Sequence, residues 1–170
     1  MTKSTAALAH APEVDDDTEV AFFLDMPGHL LRRCQQIAVA VFLEECRDFE
    51  LTPLQFALLS ALDRFGSMDQ VTLGGAAALD RTTIIVALKN LEEREFVTRT
   101  TSEKDKRANI VAITDAGRQM YRAVSPSVLR AQKSMLSPLT ARERTQLVAL
   151  LRKMADGNND LSRAPHRLPS

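Results

Sequence analysis

Four consecutive residues combine an acid, a guanidinium group and two hydroxyls: Asp80, Arg81, Thr82 and Thr83. An apolar pattern at helical spacing begins at Ile84, so these residues are predicted to form the start of a helix. Backbone N–H groups and hydroxyls at a helix N-terminus can bind phosphate, and an arginine there can reach a guanine edge. The alternative is that Asp80 and the threonines only cap the helix.

The outward face of the same predicted helix continues this candidate surface. Its members are Ile85, Val86, Lys89 and Asn90. We favour contact with DNA for Lys89 and Asn90. Ile85 and Val86 could belong to the core instead, and the pattern does not decide between the two; on the surface they could contact thymine methyl groups.

A second charged group lies between two β-patterned segments, residues 97–101 and 107–113. The group consists of Lys104, Asp105, Lys106 and Arg107. A charged hairpin tip is usually a solvated turn, but a basic one can also reach a DNA minor groove. Arg99, on the first segment, is predicted either to contact a phosphate or to form an internal salt bridge.

The elements that must position these side chains follow one another over residues 70–114. A short helix rich in small residues is predicted first, then the helix that begins after Asp80, then the β-hairpin. A helix pair of this kind fits the major groove of duplex DNA. Gly74 and Gly75 lack the rest of any phosphate-cradling motif, and we expect them to permit close helix packing.

Amphipathic helices are also predicted on both sides of this unit, at residues 27–47, 52–66 and 114–155. Predicted capping boxes are Thr52 with Gln55 and Thr140 with Glu143. Thr114 should cap a long helix that Pro126 interrupts and kinks. The outer helices carry more apolar surface than one such unit can cover, so they most simply bury one another across a two-fold axis.

The expected organisation has five parts. They are a disordered acidic arm at 1–18, an N-terminal dimerisation and ligand-cleft helix at 19–50, a DNA-binding domain at 51–114, C-terminal dimerisation helices at 115–155 and a flexible tail at 156–170. The charges support this division, because 22 basic residues balance 22 acidic ones overall but are unevenly distributed. Basic side chains concentrate in the C-terminal half, so a neutral total can hide a phosphate-attracting surface.

Several classes of function fit poorly. The sequence has no metal-spaced Cys or His cluster, no phosphate-binding glycine loop and no nucleophile elbow, so we expect neither an enzyme nor a bound metal or cofactor. No apolar run approaches a membrane span, and no signal-peptide core follows Met1. Cys34 and Cys46 would lie about 18 Å apart on one helix, too far for an intrachain disulfide. We expect a cytoplasmic protein.

The segment Asp105 to Thr114 resembles the wing of the MarR family of bacterial transcription regulators: an Asp, an Arg two residues later, a return strand, then Ile and Thr. The run from Leu88 to Arg99 is similar to the family's approach to the wing. The likeness covers roughly residues 27–155. It implies a mainly α fold with a small β-wing, a winged helix-turn-helix, and a homodimer formed by the N- and C-terminal helices.

The resemblance also implies roles for single residues. In the family, the Asp corresponding to Asp105 braces the Arg corresponding to Arg107, which enters the minor groove, where narrow A·T tracts concentrate negative potential. Two recognition helices about 34 Å apart would bind a palindromic operator. Two departures stand out. The family usually has Gly at Glu95, and many members have Thr and Arg at the positions of Ile85 and Val86.

Family members usually release DNA when a small molecule, often a phenolic or other aromatic acid, binds between the dimer helices and the DNA-binding heads, and repression is the family default. The candidate ligand-binding residues here are His29, Arg32, Arg33 and Cys34. The run from Pro27 to Arg33 is similar to the branch that controls breakdown of benzoates and hydroxycinnamates, whose effectors are often aryl-coenzyme A thioesters. Arg32 and Arg33 could instead be surface or dimer salt-bridge residues, and His29 a helix-start residue.

Two other interpretations remain open. Some family members sense peroxides through a cysteine on this helix, but Cys34 lies in an apolar stripe and we expect it to be buried and inert. The winged helix could also serve as a protein–protein or architectural module that does not read DNA sequence. Steep salt dependence and preference for a palindrome would separate DNA reading from that alternative.

Overall fold

The computed structural model describes residues 22–101 and 109–169. Over these residues its elements are α1 (Pro27–Glu45), α2 (Pro53–Phe65), β1 (Met68–Asp69), α3 (Gln70–Ala76), α4 (Arg81–Glu93), β2 (Val97–Thr101), β3 (Asn109–Ile113), α5 (Asp115–Met135) and α6 (Ala141–Gly157). Short 3-10 turns at Arg47–Phe49 and Asn159–Leu161 follow α1 and α6. The chain is mainly helical with one small antiparallel sheet, which confirms the predicted fold class.

The chain divides after Ile37 into two compact units. In the N-terminal unit, residues 22–24 are helical and the first half of α1 follows. The rings of Phe23 and His29 lie edge to face, with their centroids 4.5 Å apart. The arm predicted at residues 1–18 lies outside the described residues.

Local hydrogen bonds cap the N-termini of α2 and α6 at the predicted residues, Thr52 and Thr140. The hydroxyl of Thr52 accepts a hydrogen bond from the Gln55 backbone N–H, and the Gln55 side chain accepts one from the Thr52 N–H. Thr140 and Glu143 form the same reciprocal pair. Both predicted capping boxes are therefore confirmed, and each satisfies backbone donors that the first helical turn leaves unpaired.

Helix α5 continues through Pro126 as one element, where an interruption was predicted. Proline in a helix removes one hydrogen bond, here to the Arg122 carbonyl, and its ring crowds that turn. The neighbouring side chains Val124, Ser127 and Val128 are buried. Burial on both sides of Pro126 offsets the lost bond and keeps the helix in place.

The sheet is antiparallel, with the strand order β1-β3-β2. Val97 of β2 pairs with Ile113 of β3, and Met68 of β1 pairs with Val111. The side chains of Val97 and Val111 are almost fully buried. The sheet thus covers one side of the core and fixes the direction in which the β2–β3 hairpin projects from the core.

Helix α2 is central to the second unit and packs against α3, α4, α5 and β3. All five of these elements contribute fully buried side chains, which are Leu58, Leu59, Leu62, Leu73, Leu88, Leu91, Val111 and Val124; Leu51, which precedes α2, and Val97 of β2 are also fully buried. No single described helix is long and apolar enough to cross a membrane; α3 and α4 reach that threshold only together, and the chain bends by 105° between them.

The C-terminal segment, predicted as a flexible tail, contacts α3. The backbone N–H of Arg167 donates to the carbonyl of Gly75 in α3, at 2.9 Å. The Asn159 side chain both accepts from the His166 backbone N–H and donates to the His166 carbonyl. The Arg167–Gly75 contact joins residues about ninety positions apart, and the glycine, asparagines and prolines of this segment gave no signal of it.

Candidate nucleic-acid interface

Helices α3 and α4 begin with the same capping arrangement. The carboxylate of Asp69 accepts hydrogen bonds from the backbone N–H groups of Val71 and Thr72 and from the Thr72 hydroxyl. The carboxylate of Asp80 caps α4 in the same way, with bonds of 2.8–2.9 Å from the backbone N–H groups of Thr82 and Thr83 and the Thr83 hydroxyl. With the 105° bend between them, the two capped helices form a helix-turn-helix.

These bonds also set the charge at the head of α4. Hydrogen bonds from Thr83, first from its backbone and then from its hydroxyl, hold the pKa of Asp80 below its ordinary value. Asp80 is therefore a carboxylate at neutral pH, and it already occupies the first free N–H groups of the helix. The capping interpretation thus describes Asp80 and Thr83, and a phosphate here would depend on Arg81 and the Thr82 hydroxyl.

One face of α4 packs into the core and the other is exposed. Ile84, Ala87, Leu88 and Leu91 are the buried residues of the helix. Val86 is 68% exposed and Ile85 43% exposed, so both lie on the outward face with Arg81. The structure thereby decides the alternative that the sequence pattern left open for Ile85 and Val86.

Lys89 and Asn90 lie further along α4 in different surroundings. The Lys89 ammonium is 3.7 Å from the Glu93 carboxylate, with both side chains more than half exposed. An exposed ion pair of this kind contributes little to the free energy of folding, so the Lys89 ammonium can leave Glu93 and bind a phosphate instead. The side-chain carbonyl of Asn90 accepts a hydrogen bond of 2.7 Å from the buried Gln55, which ties α4 to the start of α2.

The C-terminal end of α4 is held by Arg94. Its guanidinium group donates to the carbonyls of Glu50, at 2.7 Å, and Phe49, at 2.9 Å. The same group lies over the ring of Phe96, 4.8 Å from the ring centroid. Because Asn90 and Arg94 both contact residues 49–55, α4 is held at a defined angle. Sequence reasoning missed these contacts, which join residues more than 30 positions apart.

The turn from α4 into the hairpin uses Glu95 with φ of 58°, a left-handed conformation that favours glycine. The Thr114 hydroxyl donates to the Glu95 carbonyl at 2.7 Å. The turn thus has the backbone shape that glycine suits, although the residue is glutamate, and a tertiary hydrogen bond supports it.

The hairpin strands are described, but the hairpin tip is not. Lys104, Asp105, Lys106 and Arg107 all lie outside the described residues. Thr101 and Asn109 are the last paired positions of the two strands. On β2, Arg99 donates from Nε to the Glu92 carboxylate at 2.8 Å and makes a second contact through Nη2. Of the two roles considered for Arg99, the structure therefore shows the internal salt bridge.

The predicted ligand-binding residues all lie in the N-terminal unit. His29 is partly buried, and its Nδ1 atom has no hydrogen-bond partner among the described residues. Arg32 donates to the side chain of Gln36 at 3.2 Å. Arg33 and Cys34 are exposed, so the expectation of a buried Cys34 does not hold in the single chain. The reason is that no other described element of this unit covers the apolar stripe of α1.

Cys46, at the end of α1, is the buried cysteine. Burial, with a smaller contribution from Glu45, raises the pKa of its thiol. The described residues contain no group of His, Cys, Asp or Glu side chains that could hold a metal ion.

The sequence model of the MarR family matches residues 51–108, from just before α2 into the hairpin. The transcriptional repressor NicR of Pseudomonas putida is 34% identical over 159 residues, which are 94% of this chain and 96% of NicR. The chain belongs to the MarR family. As a MarR-family protein it is a transcriptional regulator with a winged helix-turn-helix.

Solved MarR-family structures are similar over the same core. BpsR of Bordetella bronchiseptica, whose DNA binding is regulated by 6-hydroxynicotinic acid, is 34% identical, with a TM-score of 0.75 over 79% of this chain and 96% of BpsR. CouR, a transcriptional repressor bound to a 23-mer DNA duplex, is 28% identical, with a TM-score of 0.73 over 78% of this chain and 94% of CouR. These likenesses confirm the resemblance drawn from the wing residues.

Proposed function

We propose that this MarR-family regulator is a cytoplasmic repressor that binds a palindromic operator as a homodimer and releases it when a small aromatic acid binds. The observation that carries the DNA-binding part is the exposed face of α4, where Arg81, Ile85 and Val86 project from a helix anchored at both ends. A rigid helix with a cation and apolar groups on its free face suits the major groove. CouR, which shares the fold, is bound to duplex DNA.

The remaining predicted contacts complete this proposal. Thr82 and Lys89 would contact phosphates beside α4, and Thr83 would support the helix head. Asn90 would reach a base edge with its side-chain amide hydrogens, because Gln55 contacts only its carbonyl oxygen. Lys104 and Lys106 would lie along the minor groove, where Arg107, braced by Asp105, would enter.

A binding titration with the promoter next to the protein's own gene tests this interface. Arg81→Ala and Arg107→Ala should each weaken binding by at least about 1 kcal/mol, or about fivefold, because each removes a charged contact to DNA. Arg47→Ala is the matched control, since Arg47 is 70% exposed and, among the described residues, forms ion pairs only with its neighbours Glu44 and Asp48. Equal affinities for all three variants would show that Arg81 of α4 and Arg107 of the wing do not contribute to DNA binding.

Two-fold association is supported by apolar surface that the single chain leaves uncovered. None of the residues of α6, all of which are described, is buried. Exposed apolar side chains on the outer helices are Leu30, Leu31, Ile37, Leu43, Leu129, Val148, Leu150, Leu151 and Met154. Surface of this extent on a monomer marks an interaction site, and a second copy would bury it.

The ligand part of the proposal rests on the N-terminal unit and on BpsR. His29, Arg32 and Arg33 offer hydrogen-bond donors and positive charge beside the apolar stripe that contains Cys34, which is what an aromatic carboxylate needs. DNA binding by BpsR is regulated by 6-hydroxynicotinic acid. We therefore propose an aromatic acid as effector, with an aryl-coenzyme A thioester as the larger candidate of the same class.

Titrating 6-hydroxynicotinic acid, hydroxycinnamate and its coenzyme A thioester into the protein–operator complex tests the effector class. One of them should dissociate the complex, and Arg32→Ala with Arg33→Ala should raise the concentration required. No response to any of the three would remove this ligand class.

Oxidation of the Cys34 thiol is a second candidate signal, because this thiol is exposed in the single chain; it requires a dimer contact that leaves this part of α1 accessible. If this candidate holds, hydrogen peroxide should release DNA from the wild-type protein and leave the Cys34→Ser variant bound. Equal peroxide responses of the two proteins would reject it.

A further inference from the structure

The C-terminal residues 162–168 contact the helix-turn-helix through one main-chain hydrogen bond and are braced by a second contact to residues after α6. Arg167 donates its backbone N–H to the Gly75 carbonyl near the end of α3, at 2.9 Å. Gly75 has no side chain to interfere, and a Cβ atom placed there would be only 3.3 Å from the Cβ of Arg167. Asn159 holds the adjacent His166 by two hydrogen bonds to its backbone. The segment is therefore attached at both His166 and Arg167.

The side chains of this segment are basic. Arg163, His166 and Arg167 are all exposed, and no acidic residue occurs between Leu161 and Ser170. Its apolar and imidazole side chains, Leu168 and His166, line a groove of about 620 Å³ against α2 and α3. Arg167 thus lies on an anchored backbone, and Arg163 lies three residues before the attached His166, so ordering these side chains on a binding partner costs less entropy than ordering a free tail.

The anchor of the segment lies near the start of α4, because the Gly75 carbonyl that binds Arg167 also accepts from the Ala78 N–H, in the turn that leads to the cap residue Asp80. After the stronger effects of Thr83 and Thr82, the positive charge of Arg163 contributes to lowering the pKa of Asp80. Asp80 is a carboxylate at the head of the proposed recognition helix and by itself would repel a phosphate. A guanidinium group close enough to act on it offsets that repulsion.

We propose that residues 162–168 form a basic strap, through which Arg163 and Arg167 contact the phosphate backbone of the DNA duplex beside the head of α4. The partner is double-stranded DNA because the strap is continuous with the helix-turn-helix surface and combines positive charge with no acidic residue. The strap would add affinity without adding sequence preference, since phosphate contacts position a protein on DNA and base contacts specify the site. This inference rests on the proposed function.

The test uses the full chain and the slope of log affinity against log salt concentration. Arg163→Ala with Arg167→Ala should weaken operator binding and reduce the slope by about 3 to 4, because the proposed dimer loses four phosphate contacts and each removes about 0.9. The loss should be similar for operator and random DNA. Arg152→Ala with Lys153→Ala, two exposed cations of α6, is the control with the same change in net charge, and light scattering should show that it remains dimeric because α6 carries the proposed dimer surface.

A second variant keeps both arginines and disturbs the anchor. Gly75→Val places a side chain against Arg167, so it should lower the salt slope while circular dichroism reports an unchanged helix content. If the double-arginine variant has the same affinity and salt slope as the α6 control, the strap proposal is wrong. Tighter binding than wild type would also contradict it and would indicate an autoinhibitory segment instead.

The strap and the proposed function can fail separately. If Arg81→Ala weakens binding and the double-arginine variant does not, the strap is wrong and the recognition helix stands. If the wild-type chain shows no salt-dependent affinity for duplex DNA, both are wrong.

Discussion

Gly117 lies where the first turn of α5 passes over the chain that leaves α4. A Cβ atom at this position would be 2.1 Å from the Phe96 carbonyl oxygen and 2.9 Å from Cγ1 of Ile113. Both neighbours are held, since the Phe96 carbonyl accepts a hydrogen bond from Thr114 and Ile113 belongs to β3. Gly117→Ala should therefore lower the free energy of unfolding by about 1–3 kcal/mol, measured by urea denaturation.

The control for this prediction is Gly157→Ala at the end of α6, where nothing lies within 4 Å of an added Cβ. That change should be neutral or slightly stabilising, because alanine is the better helix former. If both variants lost the same stability, close approach at Gly117 would not be the cause.

Because Asp69 caps α3 as a carboxylate, the free energy of unfolding should change with pH in the acid range. Hydrogen bonds from Thr72, first its hydroxyl and then its backbone, hold the pKa of Asp69 below its ordinary value of 3.8. A group whose pKa is lower in the folded state stabilises it above the unfolded pKa and loses that effect as pH falls through the folded pKa. We expect the stability advantage of wild type over Asp69→Asn to shrink below about pH 4.

Urea unfolding of the two proteins at pH 7, 4 and 3 measures this difference. Asparagine is a good N-cap without a titrating group, so the variant isolates the charge from the cap. Asp69→Ser, a second neutral cap, should give the same pH profile as Asp69→Asn. A difference between wild type and Asp69→Asn that stays constant from pH 7 to pH 3 would contradict the prediction.

At the scale of the elements, sequence signals located the helix starts but not the angles between helices. Thr52 and Gln55 lie three residues apart, so their reciprocal bonds can be predicted from local geometry alone. The bond from Gln55 to Asn90 spans 35 positions and depends on how α2 and α4 pack. The same limit applies to Glu95, whose left-handed backbone is supported by Thr114 across the start of the hairpin.

The candidate interface follows the same division. Apolar spacing predicted the buried face of α4, but it could not say whether Ile85 and Val86 belong to it, because both adjoin the buried Ile84 and Ala87. Only the packed position of the helix decided that they are exposed. The strap residues carried no signal in the sequence, since their anchor is a backbone carbonyl of Gly75, about ninety positions away.

Arg94 gives an element-scale prediction about the orientation of α4. Its guanidinium group holds two carbonyls and a ring face at once. Arg94→Ala should lower the free energy of unfolding by about 1–3 kcal/mol, because the carbonyls of Phe49 and Glu50 lose a charged donor. Thermal and urea unfolding measure the loss.

Arg94→Lys should recover little of this loss, because one ammonium group cannot reproduce the planar fork of the guanidinium. Arg47→Ala, which removes only exposed ion pairs, should change stability by less than about 0.5 kcal/mol. Full recovery in Arg94→Lys would show that charge alone, and not the two-carbonyl geometry, holds the end of α4.

At the scale of the whole molecule, the proposed homodimer would bury the apolar side chains of α6 that the single chain leaves uncovered. A single winged helix-turn-helix presents one α4 to one major groove, whereas two copies related by a two-fold axis present two, about one DNA turn apart. Covering α6 with a second copy would therefore remove apolar surface from water and create the spacing that a palindrome requires.

The double variant Leu150→Glu with Met154→Glu tests this link between association and recognition. The two side chains lie four residues apart on α6 and are 56% and 42% exposed in the single chain, so charge there should leave the chain folded. By light scattering, wild type should have twice the 18.8 kDa mass of one chain and the variant the mass of one chain. Leu54→Glu, on α2, is the control and should remain dimeric. The variant should also bind operator and half-site duplexes with nearly equal affinity, whereas wild type should prefer the operator. A monomeric variant that still preferred the operator would show that palindrome recognition does not depend on the α6 surface.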